Sequence, residues 1–225
     1  MQARWPSANV ISVMNGWDEE EIPQAPWPRQ FRVVYAGVIY LDRTPRPFFR
    51  AAAMVIRAMN LTEDDFQIRL IGYVQAHEGA DVGQMAREEG VDRFVQILPA
   101  APRREVLKEY AEAALLLSLP QDSELALPSK VFEYMRFPAW ILAQSGPRSA
   151  TGMVLQDAGA YVIEPMDIET TAAALAACVR EFQAGRRPTP IAAGGRYSRE
   201  AEAEKLFEAL DTLAATARPS SLSRS

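Results

Sequence analysis

From Phe31 onward the apolar residues of this chain switch repeatedly between two spacings, and each switch marks a new element. Short β-branched or aromatic runs predict strands over Phe31–Ala36, Phe66–Ile71, Phe94–Leu98, Ala114–Leu119, Trp140–Ala143 and Ala160–Ile163. Apolar positions at helical spacing predict helices over Pro45–Met59, Asp81–Glu89, Arg103–Ala113, Ser129–Met135, Ala150–Asp157, Asp167–Ala184 and Ser198–Ala215. In the first of these, Phe48, Ala52, Val55, Ile56 and Met59 share one face of a 3.6-residue turn. Ala114–Leu119 is apolar without a break, the pattern of a central parallel strand covered on both faces. Strands alternating with helices predict an α/β fold: a doubly wound, mostly parallel six-stranded sheet with helices on both faces, Rossmann-like in kind.

The ends of the chain read differently. Val10–Met14 is a short apolar run with strand character, stopped by Asn15-Gly16, a strong turn signal. An acidic patch, Asp18–Glu21, and a stretch carrying Pro23, Pro26 and Pro28 follow, which predicts an extended linker. The serine-rich residues 218–225 predict a disordered tail. The expected organisation is a crossing segment and linker over 1–30, an α/β domain over 31–217, and that tail.

Composition narrows the chemistry. The chain has 225 residues, enough for a sizeable core, and a net charge of −5, which argues against a broad grip on nucleic acid. Of its 24 basic residues only Lys108, Lys130 and Lys205 are lysines, so a lysine in a candidate pocket is conspicuous. The single cysteine, Cys178, lies in an alanine-rich helical stretch and reads as a small buried hydrophobe. The single histidine, His77, reads as a solvated loop residue. No Cys/His zinc set exists, so no metal is expected. The sequence lacks an 18-residue apolar run and a signal-peptide layout, so a cytoplasmic location is expected, with membrane contact not indicated in this chain and open only through a partner domain.

Parallel sheets bind ligands beyond the carboxyl ends of their strands, near the point where strand order reverses. That rule selects the loops 37–46, 72–79, 99–103, 119–130 and 144–149. The first strand ends at Gly37 with no further glycine in the Tyr35–Ile39 turn, so the dinucleotide fingerprint fails. P-loop, His-Glu-x-x-His, Gly-x-Ser-x-Gly and Asp-x-Asp motifs are all missing from the sequence, which removes the dehydrogenase, P-loop, zinc-peptidase and serine-hydrolase classes. The loop from Pro120 to Pro128 runs straight into Ser129-Lys130-Val131-Phe132-Glu133-Tyr134-Met135. Pro128 and Ser129 predict a helix start, with Ser129 able to cap the first turn. Lys130 sits in that first turn, where an anionic ligand would offset its repulsion by the helix dipole. Glu133 follows one turn later, and a carboxylate there can accept from two vicinal hydroxyls of a ribose. The plainer alternative for the pair is a surface i,i+3 ion pair.

Leu127-Pro128-Ser129-Lys130-Val131-Phe132-Glu133-Tyr134-Met135, followed by Ile141-Leu142-Ala143, resembles the donor-site segment of GT-B glycosyltransferases, specifically the group-1, family-4-like set. Val34–Tyr40 with Arg43 and Pro45 resembles that family's first strand and glycine turn. Phe94–Leu98 with Pro102–Val106 and Tyr110 resembles its base-pocket strand and following helix. Asn15-Gly16-Trp17-Asp18 resembles its interdomain crossing, and Tyr197–Glu200 the start of its closing helix. The resemblance spans roughly residues 8 to 215.

The resemblance implies a nucleoside-diphosphate sugar as substrate and no separate cofactor. It places Glu133 at the donor ribose, Arg43 and Lys130 at the diphosphate, and Gly37 where the backbone approaches the donor. Leu98 and Pro99 fall where a strand end meets the base. Ser129 starts the donor-site helix. Two departures stand out. Relatives carry two glutamates with seven residues between them, whereas here the partner position of Glu133 is Leu125 with Glu124 one step further; and Arg136-Phe137-Pro138-Ala139-Trp140 replaces a run of small residues, glycine and proline. The family's N-terminal acceptor-binding domain has no counterpart beyond the crossing, which implies a fragment or one subunit of a split enzyme, completed by that domain or a partner chain. A non-catalytic nucleotide-binding or assembly module, and a two-domain sugar-nucleotide epimerase, are the alternatives.

Overall fold

A computed structural model of the protein describes residues 10–41, 43–119, 124–195 and 197–217. The expected tail, 218–225, and residues 120–123 of the loop before the Ser129 helix lie outside the described residues, as do the first nine residues of the expected crossing segment.

The chain runs β1 (Phe31–Val38), α1 (Arg46–Met59), β2 (Phe66–Tyr73), the short β3 (Ala76–His77) and β4 (Ala80–Asp81), α2 (Val82–Glu88), β5 (Val95–Leu98), α3 (Arg103–Ala111), β6 (Leu115–Ser118), α4 (Ser129–Tyr134), β7 (Trp140–Gln144), α5 (Ala150–Asp157), β8 (Tyr161–Ile163), α6 (Ile168–Gln183) and α7 (Arg199–Ala217). Six strands form one sheet in the order β5-β2-β1-β6-β7-β8, and all five pairings are parallel. The chain lays strands outward from β1 in one direction and then returns to β6 on its other side. Strand order therefore reverses between β1 and β6, and the cleft rule points there.

The two faces of the sheet are read from alternate residues. Phe31, Val33 and Tyr35 of β1 pack with Leu115 and Leu117 of β6 against α1, α2 and α6. Val34 and Ala36, with Leu116, pack against α3, α4 and α5. Burial is near complete: Phe48 and Phe49 of α1 and Leu115–Leu117 of β6 have no exposed surface. Each such side chain removed from water contributes about 1.5–3 kcal/mol. Helix ends are specified locally. Asp81 accepts from the Gln84 N–H at 2.6 Å, Ser149 from Gly152 at 2.9 Å and Asp167 from Thr170 at 3.0 Å. α1 ends where Asn60 takes the left-handed conformation at φ 51°.

Three expectations change. Val10–Met14 forms no strand; the crossing segment instead makes one bridge, Trp17 to Ser198, because Trp17 docks on the start of α7. His77 lies in the β3–β4 ribbon rather than a free loop, and its ring contacts the Leu41 carbonyl. Ser129 does not cap α4: Pro128, extended at φ −64° and ψ 135°, is the last non-helical residue, which puts Ser129 inside the helix. Cys178 is buried and free, and burial pushes its thiol up to about 12.

Candidate functional site

The carboxyl ends of β1 and β2 pair next to the switch point. Gly37 and Gly72 are register partners, and both have positive φ, 153° and 124°. A Cβ on Gly72 would lie 2.1 Å from the Gly37 carbonyl oxygen, so only glycine fits there. With Ala100, Ala101, Val106 and Tyr110 the two glycines line an open cleft of about 320 Å³. Its floor is backbone, and its far wall is α3.

Lys130 enters this site from α4. Its ammonium lies 3.9 Å from the centre of the Tyr35 ring and donates to the Ala36 carbonyl at 3.4 Å. A Cβ on Gly37 would sit 3.2 Å from that ammonium, so the lysine and the glycine share one place. Burial, and secondarily the Arg43 charge, lower the Lys130 pKa to about 7. Tyr35 is fully buried, donates to the Val38 carbonyl at 2.8 Å, and is pushed up to about 12 by desolvation, opposed by Arg43. Arg43 stacks on Tyr40 at 4.3 Å, in the loop that His77 ties down through Leu41. Gly37, Arg43 and Lys130, chosen on sequence, thus come together around Tyr35.

Glu133 flanks the cleft rather than lining it. Its side chain is 22% exposed and pairs with Arg103, the first residue of α3, which also holds Glu20 of the linker. It acts electrostatically on Tyr110 of the cleft wall, second to burial in raising that phenol's pKa. The i,i+3 ion pair of Lys130 with Glu133 does not form among the described residues, because Lys130 turns inward to Tyr35 and Arg103 takes Glu133. Leu98 is partly buried and pairs with Ile71 at the end of β5; Pro99 is exposed next to Ala100 of the cleft. Ser129 and Glu124 are exposed. The Glu124 carbonyl accepts from Ala150 at 2.7 Å, and no described contact brings its side chain to the cleft.

Sequence reasoning missed Gly72, Tyr35 and Arg103 as site residues. Gly72 carries a signal, a glycine ending a predicted strand; Tyr35 and Arg103 carry none, since their roles arise from neighbours distant in the chain. The replaced stretch 136–140 lies beneath the cleft: Phe137 is buried and meets Tyr110 edge-on at 5.6 Å, so it braces the α3 wall. Among the described residues no group of His, Cys, Asp and Glu could hold a metal ion, and no helix is long and apolar enough to cross a membrane.

No protein-family model and no curated protein matches the chain. Solved structures do. Staphylococcus aureus TarM, in a complex with fondaparinux, α-GlcNAc-glycerol and UDP, matches with TM-score 0.64 at 15% identity, over 92% of this chain and 40% of that one. Sucrose-phosphate synthase from Thermosynechococcus elongatus matches with TM-score 0.61 at 13% identity, over 96% of this chain and 56% of that one. The C-terminal domain of a group 1 glycosyl transferase, LpcC from Francisella tularensis, matches with TM-score 0.50 at 15% identity, over 70% and 79%. The chain therefore spans about half the length of the first two or less, and its fold is the Rossmann-like α/β architecture of GT-B glycosyltransferase structures.

Proposed function

We propose that this chain is the donor-binding half of a glycosyltransferase that takes a sugar from a nucleoside-diphosphate sugar, with the acceptor bound by a further domain or a partner chain. The observation that carries it is the convergence of Lys130 and Arg43 around Tyr35, beside Gly37, whose backbone forms one edge of the glycine-lined cleft next to the switch point. Two cations beside bare backbone suit a diphosphate, and they would stabilise its charge as it leaves. Glu133 at the margin suits the ribose diol, and the apolar wall of Val106 and Tyr110 suits a base. The UDP in the TarM complex supports a nucleotide ligand.

Exposed apolar side chains support the missing half. Val38, Tyr40, Leu41, Tyr73 and Met166 are exposed and lie at or just past the carboxyl ends of their strands. Such a rim suits a surface covered by a second domain.

Calorimetric titration with UDP, GDP and ADP tests the proposal. One of the three is expected to bind, with affinity reduced about tenfold or more in Glu133→Ala, the loss typical of a charged hydrogen bond. No binding of any of them at millimolar nucleotide rejects it. The alternative, a non-catalytic assembly module, is favoured by the exposed stripe Leu206, Phe207, Leu210 and Leu213 on α7. Sedimentation separates the two: a monomer that binds nucleotide speaks for the donor half.

A further inference from the structure

Arg103 belongs to neither the glycine pair nor the cation pair, yet it joins the site to the linker. Its Nη1 pairs with Oε1 of Glu133 and its Nη2 with Oε1 of Glu20. Glu20 is itself fixed, since its backbone carbonyl accepts from Nη2 of Arg136. Arg136, only 9% exposed, lies over the Trp17 ring at 5.5 Å. Trp17 in turn exchanges backbone hydrogen bonds with Tyr197 and Arg199, each 3.0 Å. One connected path thus runs from the start of α7 through the linker to the carboxylate of α4.

We propose that Arg103 is a positioning residue: it holds Glu133 by one oxygen and, through Glu20, makes the hold on a ligand's vicinal diol depend on the docked linker. This rests on the assignment of Glu133 to a ribose. A carboxylate has about four lone-pair sites on its two oxygens. Arg103 occupies Oε1, and Oε2 has no partner among the described residues, so the ion pair and a diol are compatible. A glutamate left to rotate must be ordered by the ligand at an entropic cost; one already fixed spares that cost. The planar guanidinium suits the task because its two ends reach two carboxylates at once, which a lysine ammonium does less well.

The test is nucleotide affinity measured with and without the diol. The tightest binder among UDP, GDP and ADP is compared with its 2′,3′-dideoxy analogue, in the wild type and in Arg103→Gln, Arg103→Lys and Glu20→Gln. Wild type is expected to favour the diol form. Arg103→Gln should lose about five- to tenfold in affinity for that form, the scale of immobilising one side chain, and leave the dideoxy form unchanged. Arg103→Lys should recover part of the loss, and Glu20→Gln should show a smaller loss in the same direction. Inorganic pyrophosphate, which lacks a sugar, should bind all four proteins equally. If wild type does not discriminate the two nucleotides, the ribose assignment falls and this proposal with it. If wild type discriminates but Arg103→Gln discriminates equally well, or binds the diol form more tightly, the proposal alone is overturned.

Discussion

Lys130 is an ammonium held against an aromatic ring and away from water, next to a second cation, and each of the last two conditions disfavours its charge. Its pKa of about 7 lies below the ordinary 10.5, so between those values the unfolded chain takes up a proton that the folded chain refuses. The contribution of Lys130 to stability is therefore complete above pH 10.5 and is lost as pH falls toward 7. Lys130→Met should remove that loss and raise the melting temperature at neutral pH. The gain is expected at about 1–2 kcal/mol, limited because part of the side chain still meets water. The same variant should lose most nucleotide affinity. Calorimetry in buffers of different ionisation enthalpy checks the charge directly. At pH 8 nucleotide binding should take up a proton, and affinity should weaken as pH rises above about 7. Binding without proton uptake would show that Lys130 does not meet the phosphates. Part of this was legible in advance: a scarce lysine in a helix's first turn is visible in the sequence. Its neighbour Tyr35 was not, because nothing local in Phe31–Val38 says which strand residue will lie beneath an ammonium 95 positions away.

At the scale of elements, α4 and α7 are placed by opposite means. α4 is only six residues long and is held by burial of Val131, Phe132 and Tyr134, with Tyr134 donating to the Leu117 carbonyl at 3.2 Å. α7 is anchored at its start, where Arg199 pairs with Asp18 at 2.9 Å and buried Glu202 accepts from the Met14 N–H at 2.8 Å. Beyond Lys205 its residues are mostly exposed, including Leu206, Phe207, Leu210 and Leu213. A helix of that length without packing is marginal in water. Hydrogen exchange of the chain alone should therefore show residues 206–215 exchanging within seconds to minutes, while β1 and β6 stay protected for hours. Protection of that helix equal to β6 would mean that something already covers it. The helix itself was evident from its periodicity. Its solitary outer half was not, because an apolar stripe looks the same whether a partner lies on it or not.

For the whole molecule, the proposed donor half presents an open cleft on one α/β unit, which would not enclose a bound donor. Transfer needs water excluded and an acceptor oriented, each a large part of the rate. The chain alone should bind nucleotide while releasing no diphosphate from a donor sugar above background, even with candidate acceptors present. Turnover by the isolated chain would show that no second half is required. The alternation of elements, their order and the buried β6 run were settled by the sequence itself, because hydrophobic period acts within a few residues. Tertiary structure alone decided that β6 returns beside β1, that Gly72 meets Gly37, and that Arg103 rather than Lys130 takes Glu133. Those outcomes depend on contacts between segments 30 to 90 residues apart, and no local pattern encodes which distant groups will become neighbours.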